Sequence, residues 1–241
     1  MTTYQSEITQ IPDWKPIEKP AEIAERRLVE AILGDVFPIN TVLPAERELA
    51  DSLGVTRPTL REALQRLARD GWLEIHQGKP TRVRDYWKEG KLSVLNALAE
   101  YPGQLPDDFI PNLLNVRMAM APMYTCLAIV NDPEQVIALL EESQNLDETP
   151  QKYAEYDWQL QHELTILSGN PVFTMILNGF KDMYLNLAPG YFSISEARRH
   201  SMQYYQDLIK AAKADDAPRA KSLTENIMRE SLKFWQQTKY H

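Results

Sequence analysis

The sequence predicts a mainly α chain in two parts: three short helices with a β-hairpin, then an all-helical bundle. Three observations carry that expectation. Apolar residues recur at three- and four-residue spacings through most of the 241 residues. Alternation replaces that period only once, across Trp72–Ile75 and Thr81–Arg84, on either side of a Gln-Gly-Lys-Pro turn. Beyond Asp85 no alternating segment of useful length follows, and proline and glycine breaks cut the remainder into helix-sized lengths.

Residues 1–20 hold three prolines and little periodicity, so a flexible arm is expected there. From Ala21 the pattern is helical until Gly34 and Pro38 end it. A loop, PINTV, leads to LPAERELADSLG, where Leu49, Ala50 and Leu53 mark a short amphipathic helix stopped by Gly54. The next helix starts at once. Thr56 is placed to cap it, Pro58 falls in the first turn where a missing N–H costs little, and Leu60, Leu64 and Leu67 form its buried stripe. Gly71 closes it and the hairpin follows. Three helices, a tight glycine junction between the second and third, and a hairpin make the pattern of a winged helix-turn-helix over residues 21–87.

Residues 88–112 read as a connector holding one short apolar helix, LSVLNALAEY. The bundle is expected over 113–241, with helices at 111–130, 133–146, 150–168, 171–188, 193–214 and 216–237. Asn131-Asp132-Pro133 and Ser168-Gly169-Asn170-Pro171 are its firmest breaks.

The composition excludes several classes. A single cysteine, Cys126, rules out an internal disulfide and a cysteine-rich metal site, and fits a reducing cytoplasm; its apolar surroundings read as those of a buried thiol. The first sixteen residues lack the basic start and apolar core of a signal peptide. No apolar run is read as approaching the roughly 20 residues that span a bilayer, so a soluble cytoplasmic chain with no membrane partner is expected. There is no Gly-rich phosphate loop, no Gly-x-Ser-x-Gly, no His-Glu-x-x-His and no cysteine pair, so no enzyme is expected.

The formal net charge of -8 argues against nonspecific binding of polyanions by the whole molecule. Between Arg57 and Arg84, however, seven basic residues face only Glu62, Asp70 and Glu74. The N-terminal end of a helix suits the major groove, because its free N–H groups favour phosphate and its first-turn side chains meet base edges. Thr56, Arg57, Thr59 and Arg61 occupy that turn and a half, and Arg47 on the preceding helix has the same groove or its rim within reach. The tip, His76-Gln77-Gly78-Lys79, is small and basic enough for a minor groove. Double-stranded DNA is the expected partner, with Arg66 and Arg69 left to the surface or the phosphate rim.

These same residues, LPAERELADSLGVTRPTLREALQRLARDGWLEIHQGKPT, resemble the DNA-binding domain of the GntR family of bacterial regulators. RLARDGW, GKPT, NLLNVR, SGNPVFTMILNG and MYLNLAPGYF are similar to its fatty-acid-responsive FadR type, over roughly residues 21–237. The resemblance implies a homodimer on a palindromic operator, with Arg47, Thr56, Arg57, Thr59, Arg61, Gly78 and Lys79 at DNA-contacting positions. Pro58 stands where the family runs to threonine, and the wing reads His76-Gln77 where that type has Gln-His.

For the bundle, the resemblance implies a ligand-sensing domain. Many such domains hold a metal on one aspartate and three histidines. Here Asp157 matches the aspartate, but the histidine positions read Gln161, Gln206 and Arg229, and His162 lies about 100° out of phase, so no metal and no cofactor is expected. The aromatic residues from Val172 onward are most simply core, yet tyrosine and tryptophan also suit a pocket that is apolar along its length and polar at one end. The resemblance implies long-chain acyl-coenzyme A as effector, with Arg117, Tyr184, Tyr191, Tyr205, Ser231 and Trp235 at effector-associated positions. Whether Arg117 pairs with a phosphate or holds a core carboxylate is open. Ile227 and Met228 replace a tyrosine and a glycine of that type. The expected action is release of operator DNA by acyl-coenzyme A; a small carboxylate effector, or a DNA-binding dimer with no effector, are the alternatives.

Overall fold

A computed structural model describes residues 19–238. The arm expected over residues 1–20, and the signal-peptide reading with it, therefore lie almost wholly outside the described residues. Pro20 is already the first residue of a helix. Contacts divide the chain into two compact units that meet between Gly90 and Lys91.

In the first unit α1 (Pro20–Leu33), α2 (Glu46–Leu53) and α3 (Arg57–Asp70) pack around Leu28, Ile32, Leu49, Leu60, Leu64 and Leu67, all buried. The junction between α2 and α3 follows from two residues. Gly54 turns the chain with φ of 69°, which a side chain would strain, and the Thr56 hydroxyl accepts from Thr59 N at 3.3 Å to cap α3. Strands β1 (Leu73–Glu74) and β2 (Arg82–Val83) then pair antiparallel, Leu73 opposite Val83 and Glu74 opposite Arg82. Leu73 and Val83 face the core while Glu74 and Arg82 face outward, as the period of two requires. A third extended segment joins them: Val42 bridges Arg82, and Leu43 N donates to Thr81 O at 2.9 Å. The sequence reads that segment as loop, because a strand one residue long has no period. A single turn, α4 (Tyr86–Glu89), ends the unit, with Tyr86 set 4.8 Å from the Trp72 ring.

The second unit contains α5 (Leu92–Ala99), α6 (Phe109–Asn131), α7 (Pro133–Glu141), α8 (Pro150–Leu167), α9 (Pro171–Asn178), α10 (Lys181–Phe192), α11 (Ser195–Lys213) and α12 (Ala217–Thr238). Helix α6 lies along α12 and α8, α11 packs on α12 and α7, and α10 on α8. Tyr124, Ala128, Leu160, Leu164, Tyr205 and Leu208 are at the centre. Cys126 is half-buried against that cluster.

Three expectations change. The helix expected over 171–188 is two, α9 and α10, parted at Gly179-Phe180, and the second runs on through Pro189 to Phe192. Apolar spacing continues across the break, so the helical period does not show it. Gly179 faces Leu92 of α5, whose Cδ1 would stand 2.8 Å from a Cβ placed there. Helix α5, within the stretch read as a connector, is docked on α10 with Val94 and Leu98 buried, and Asn96 Oδ1 accepts from Met183 N at 3.3 Å. Finally, α6 is 23 residues long and holds an 18-residue stretch of mean hydropathy 1.5, enough by length and composition to cross a membrane, where the sequence was expected to hold no such run. Arg117 and Pro122 lie within it and hide its length. It buries Ala121, Tyr124, Thr125, Ala128 and Ile129 within the bundle.

Candidate DNA-reading face and effector cavity

The start of α3 and the wing carry the first set of candidates. Thr56, Arg57 and Arg61 are exposed there, and Arg47 is exposed on α2. Thr59 is half-buried, and its hydroxyl lies 2.8 Å from that of Thr56, so the two threonines hold each other at the helix start. Pro58 occupies the first turn of α3, where the helix has no use for its missing donor.

The cations of this unit divide into two groups. Arg66 pairs with Glu62 at 2.6 Å, Arg69 with Asp70 at 3.2 Å, and Arg84 with Glu89 at 2.8 Å. Arg82 donates from Nη2 to Glu74 at 2.5 Å. Arg47, Arg57 and Lys79 make no side-chain hydrogen bond or ion pair among the described residues. Three of the unpaired positive charges therefore sit on α2, on the first turn of α3 and on the wing tip, where backbone and side chains can meet phosphate. Arg61 is intermediate, exposed but bound by Nε to Glu46 at 2.7 Å.

At the wing, Gly78 has φ of 73° and, with Gln77 and Lys79, is exposed. His76 is turned back: its Nε2 lies 2.8 Å from Glu74 Oε1. The hydrogen bonds from His76 and Arg82 hold the Glu74 carboxyl down to about 2.

The second set surrounds a cavity of about 80 Å³ inside the bundle. Arg117, Tyr184, Tyr191, Ser231 and Trp235 line it, with Leu113 and Leu114 from α6 and Ile227 and Met228 from α12. Tyr205 does not line it. Fully buried behind the wall, Tyr205 donates to Asp157 Oδ1 at 2.8 Å.

Asp157 is the hub of the polar wall. Tyr184 donates to its Oδ2, Arg117 Nη2 stands 3.6 Å from the same oxygen, and the Arg117 guanidinium lies over the Tyr184 ring at 4.9 Å. Burial works against the Arg117 charge, but Tyr184 and Asp157 outweigh it and raise its pKa. Burial and then the Asp157 charge push the Tyr184 and Tyr205 hydroxyls far above their ordinary range, so both remain donors. Farther round the wall, Tyr191 and Ser231 hydroxyls meet at 3.1 Å.

The oxygens that a metal site would need are thus engaged by tyrosines. Gln161, one turn after Asp157, accepts from Tyr124 at 2.5 Å. His162 lies outside the cavity wall and stacks on Trp158 at 6.1 Å. Among the described residues no group of three metal-ligating side chains converges. Gln161, Ser201 and Tyr204 also line the cavity and were not among the expected effector residues. Their only trace in the sequence is Gln161's place four residues after Asp157, on the same helix face.

A helix-turn-helix with unpaired cations on its second helix and wing, joined to a helical unit with an internal cavity, defines a bacterial transcriptional regulator rather than an enzyme. Comparison with known proteins narrows that class. The family described as "Bacterial regulatory proteins, gntR family" matches residues 20–83, and the FadR C-terminal domain matches residues 84–241. A fatty acid metabolism regulator protein of Shewanella pealeana is 47% identical over 194 residues, 80% of this chain and 81% of that one. Its namesake in Shewanella sp. MR-7 is 41% identical over 218 residues, 90% of each chain. The solved structure of Lar, which controls expression of the Listeria monocytogenes agr system, covers 92% of this chain and 99% of its own at a TM-score of 0.59 and 16% identity, a likeness of fold. The chain belongs to the GntR family of DNA-binding transcriptional regulators, in the group that carries the FadR C-terminal domain.

Proposed function

We propose that this protein regulates genes of fatty-acid metabolism as a homodimer on a palindromic operator, which it releases when long-chain acyl-coenzyme A enters the helical unit. One observation carries the effector half of this reading: an apolar cavity, closed on one side by the Arg117–Asp157–Tyr184 wall, lies among five helices of the domain that the fatty acid regulators share. The DNA half is supported by the unpaired Arg47, Arg57 and Lys79, with Thr56, Thr59, Arg61, His76, Gln77 and Gly78 around them.

The size of the cavity supplies the mechanism. Room of about 80 Å³ suits a few water molecules, not a long acyl chain. An acyl chain therefore binds only a form in which α12 and its neighbours have moved apart, and its binding energy favours that form over the closed one. The closed form holds DNA and the opened form lets it go.

A small carboxylate is the rival effector, and the cavity volume alone would suit it. Asp157 already neutralises Arg117, however, so a second carboxylate beside them would be a buried charge without a partner. Operator binding titrated with and without oleoyl-coenzyme A, at fixed salt, decides between them. Weaker binding at saturating ligand is expected. Unchanged binding would remove acyl-coenzyme A as the effector.

A further inference from the structure

In the cavity wall, Gln161 Nε2 and Arg117 Nε have no acceptor among the described residues. Gln161 is 1% exposed and its Oε1 is taken by the Tyr124 hydroxyl, but its Nε2 meets no partner among the described residues. The same is true of Arg117 Nε. A buried donor left unmade costs free energy comparable to a lost hydrogen bond, so native interiors rarely keep one without a use. Both side chains line the same cavity, whose surface is otherwise largely apolar.

The charge around them selects the kind of acceptor. Arg117 and Asp157 cancel each other, and the hydroxyls that bind Asp157 are donors already committed. The wall therefore offers hydrogen without offering net positive charge. An uncharged oxygen satisfies it, whereas an anion would bring a charge that nothing nearby balances.

We propose that Gln161 is a ligand-contacting specificity residue, whose amide Nε2 donates to the thioester carbonyl oxygen of the acyl effector. Tyr124 is its positioning residue: by donating to Oε1 it fixes the amide and leaves the NH2 end for a ligand. The inference rests on the acyl-thioester reading above and adds to it the group that recognises the thioester.

The test is calorimetric binding of two ligands to the full-length protein: oleoyl-coenzyme A, and the thioether analogue in which CH2 replaces the carbonyl. The native protein is expected to prefer the thioester about tenfold, the worth of one well-made buried hydrogen bond. In the double variant Tyr124→Phe/Gln161→Met the preference should fall below about twofold. Removing both partners leaves no orphaned hydroxyl, and circular dichroism checks that the variant is folded. Equal binding of the two ligands by the native protein would overturn the role of Gln161 while leaving the acyl reading intact. A folded double variant that keeps the full preference would overturn it too. If neither ligand binds, the acyl-thioester reading itself falls and the inference with it. The native comparison needs no variant, so misfolding of the double variant leaves that arm decisive.

Discussion

Tyr205 donates to Asp157 Oδ1 at 2.8 Å from behind the cavity wall, while Tyr184 donates to Oδ2 from within it. Two tyrosines on one carboxylate therefore differ in place: Tyr205 secures the hub from behind, and Tyr184 also lines the cavity. Tyr205→Phe leaves a buried carboxylate short of a donor and should lower unfolding free energy by about 1–3 kcal/mol in urea melts. Effector affinity should suffer more from Tyr184→Phe than from Tyr205→Phe. The reverse order would put Tyr205 on the path of the ligand.

Arg57 is exposed at the first residue of α3, with no side-chain partner among the described residues. If it reads a base edge, Arg57→Ala should weaken binding to the preferred operator by roughly 1–3 kcal/mol and relax the choice of base at one position. Competition assays on an operator library measure both. An equal loss on all sequences, with a shallower salt dependence, would make Arg57 a phosphate contact.

Arg61 is held by Glu46 at 2.7 Å, and both side chains are largely solvent-exposed. Such a pair is worth roughly 0–1 kcal/mol, little enough for DNA phosphate to displace it. Glu46→Gln should release Arg61, remove one repelling charge and tighten operator binding about two- to fivefold at low salt. Weaker binding instead would mean that Glu46 orients Arg61 for its contact.

The fold was legible wherever local chemistry specifies structure. Gly54, Thr56 and Gly71 punctuate α3, and Asp132 and Asn170 cap α7 and α9, because each acts on its own neighbours in the chain. The break at Gly179-Phe180 was not read although Gly179 marks it, because apolar spacing runs on across it. The cations of α2, α3 and the wing were legible by type and spacing, but not which of them are paired: Arg61 meets Glu46 across the junction, and Arg82 meets Glu74 across the hairpin. In the cavity, the family likeness led to Arg117 and Ser231. It did not separate Tyr205 from the wall, because consecutive residues of α11 point about 100° apart and Tyr204 lines the cavity instead.

The wing supplies a dependence on pH. Glu74 has an ordinary pKa of 4.5 that its hydrogen bonds to His76 and then Arg82 lower to about 2. A carboxyl whose folded pKa lies below its unfolded one stabilises the fold fully above the unfolded value, and the contribution is lost as pH falls toward the folded value. The stability difference between the native protein and Glu74→Gln should therefore be largest above about pH 4.5 and shrink as pH falls toward 2. Through neutral pH the carboxylate stays ionised and keeps His76 folded back from the wing tip. Carbon-detected NMR of the Glu74 carboxyl gives the midpoint directly. A midpoint near 4.5 would mean that His76 and Arg82 do not hold it in solution, and that His76 is free to join Gln77 and Lys79 at the groove.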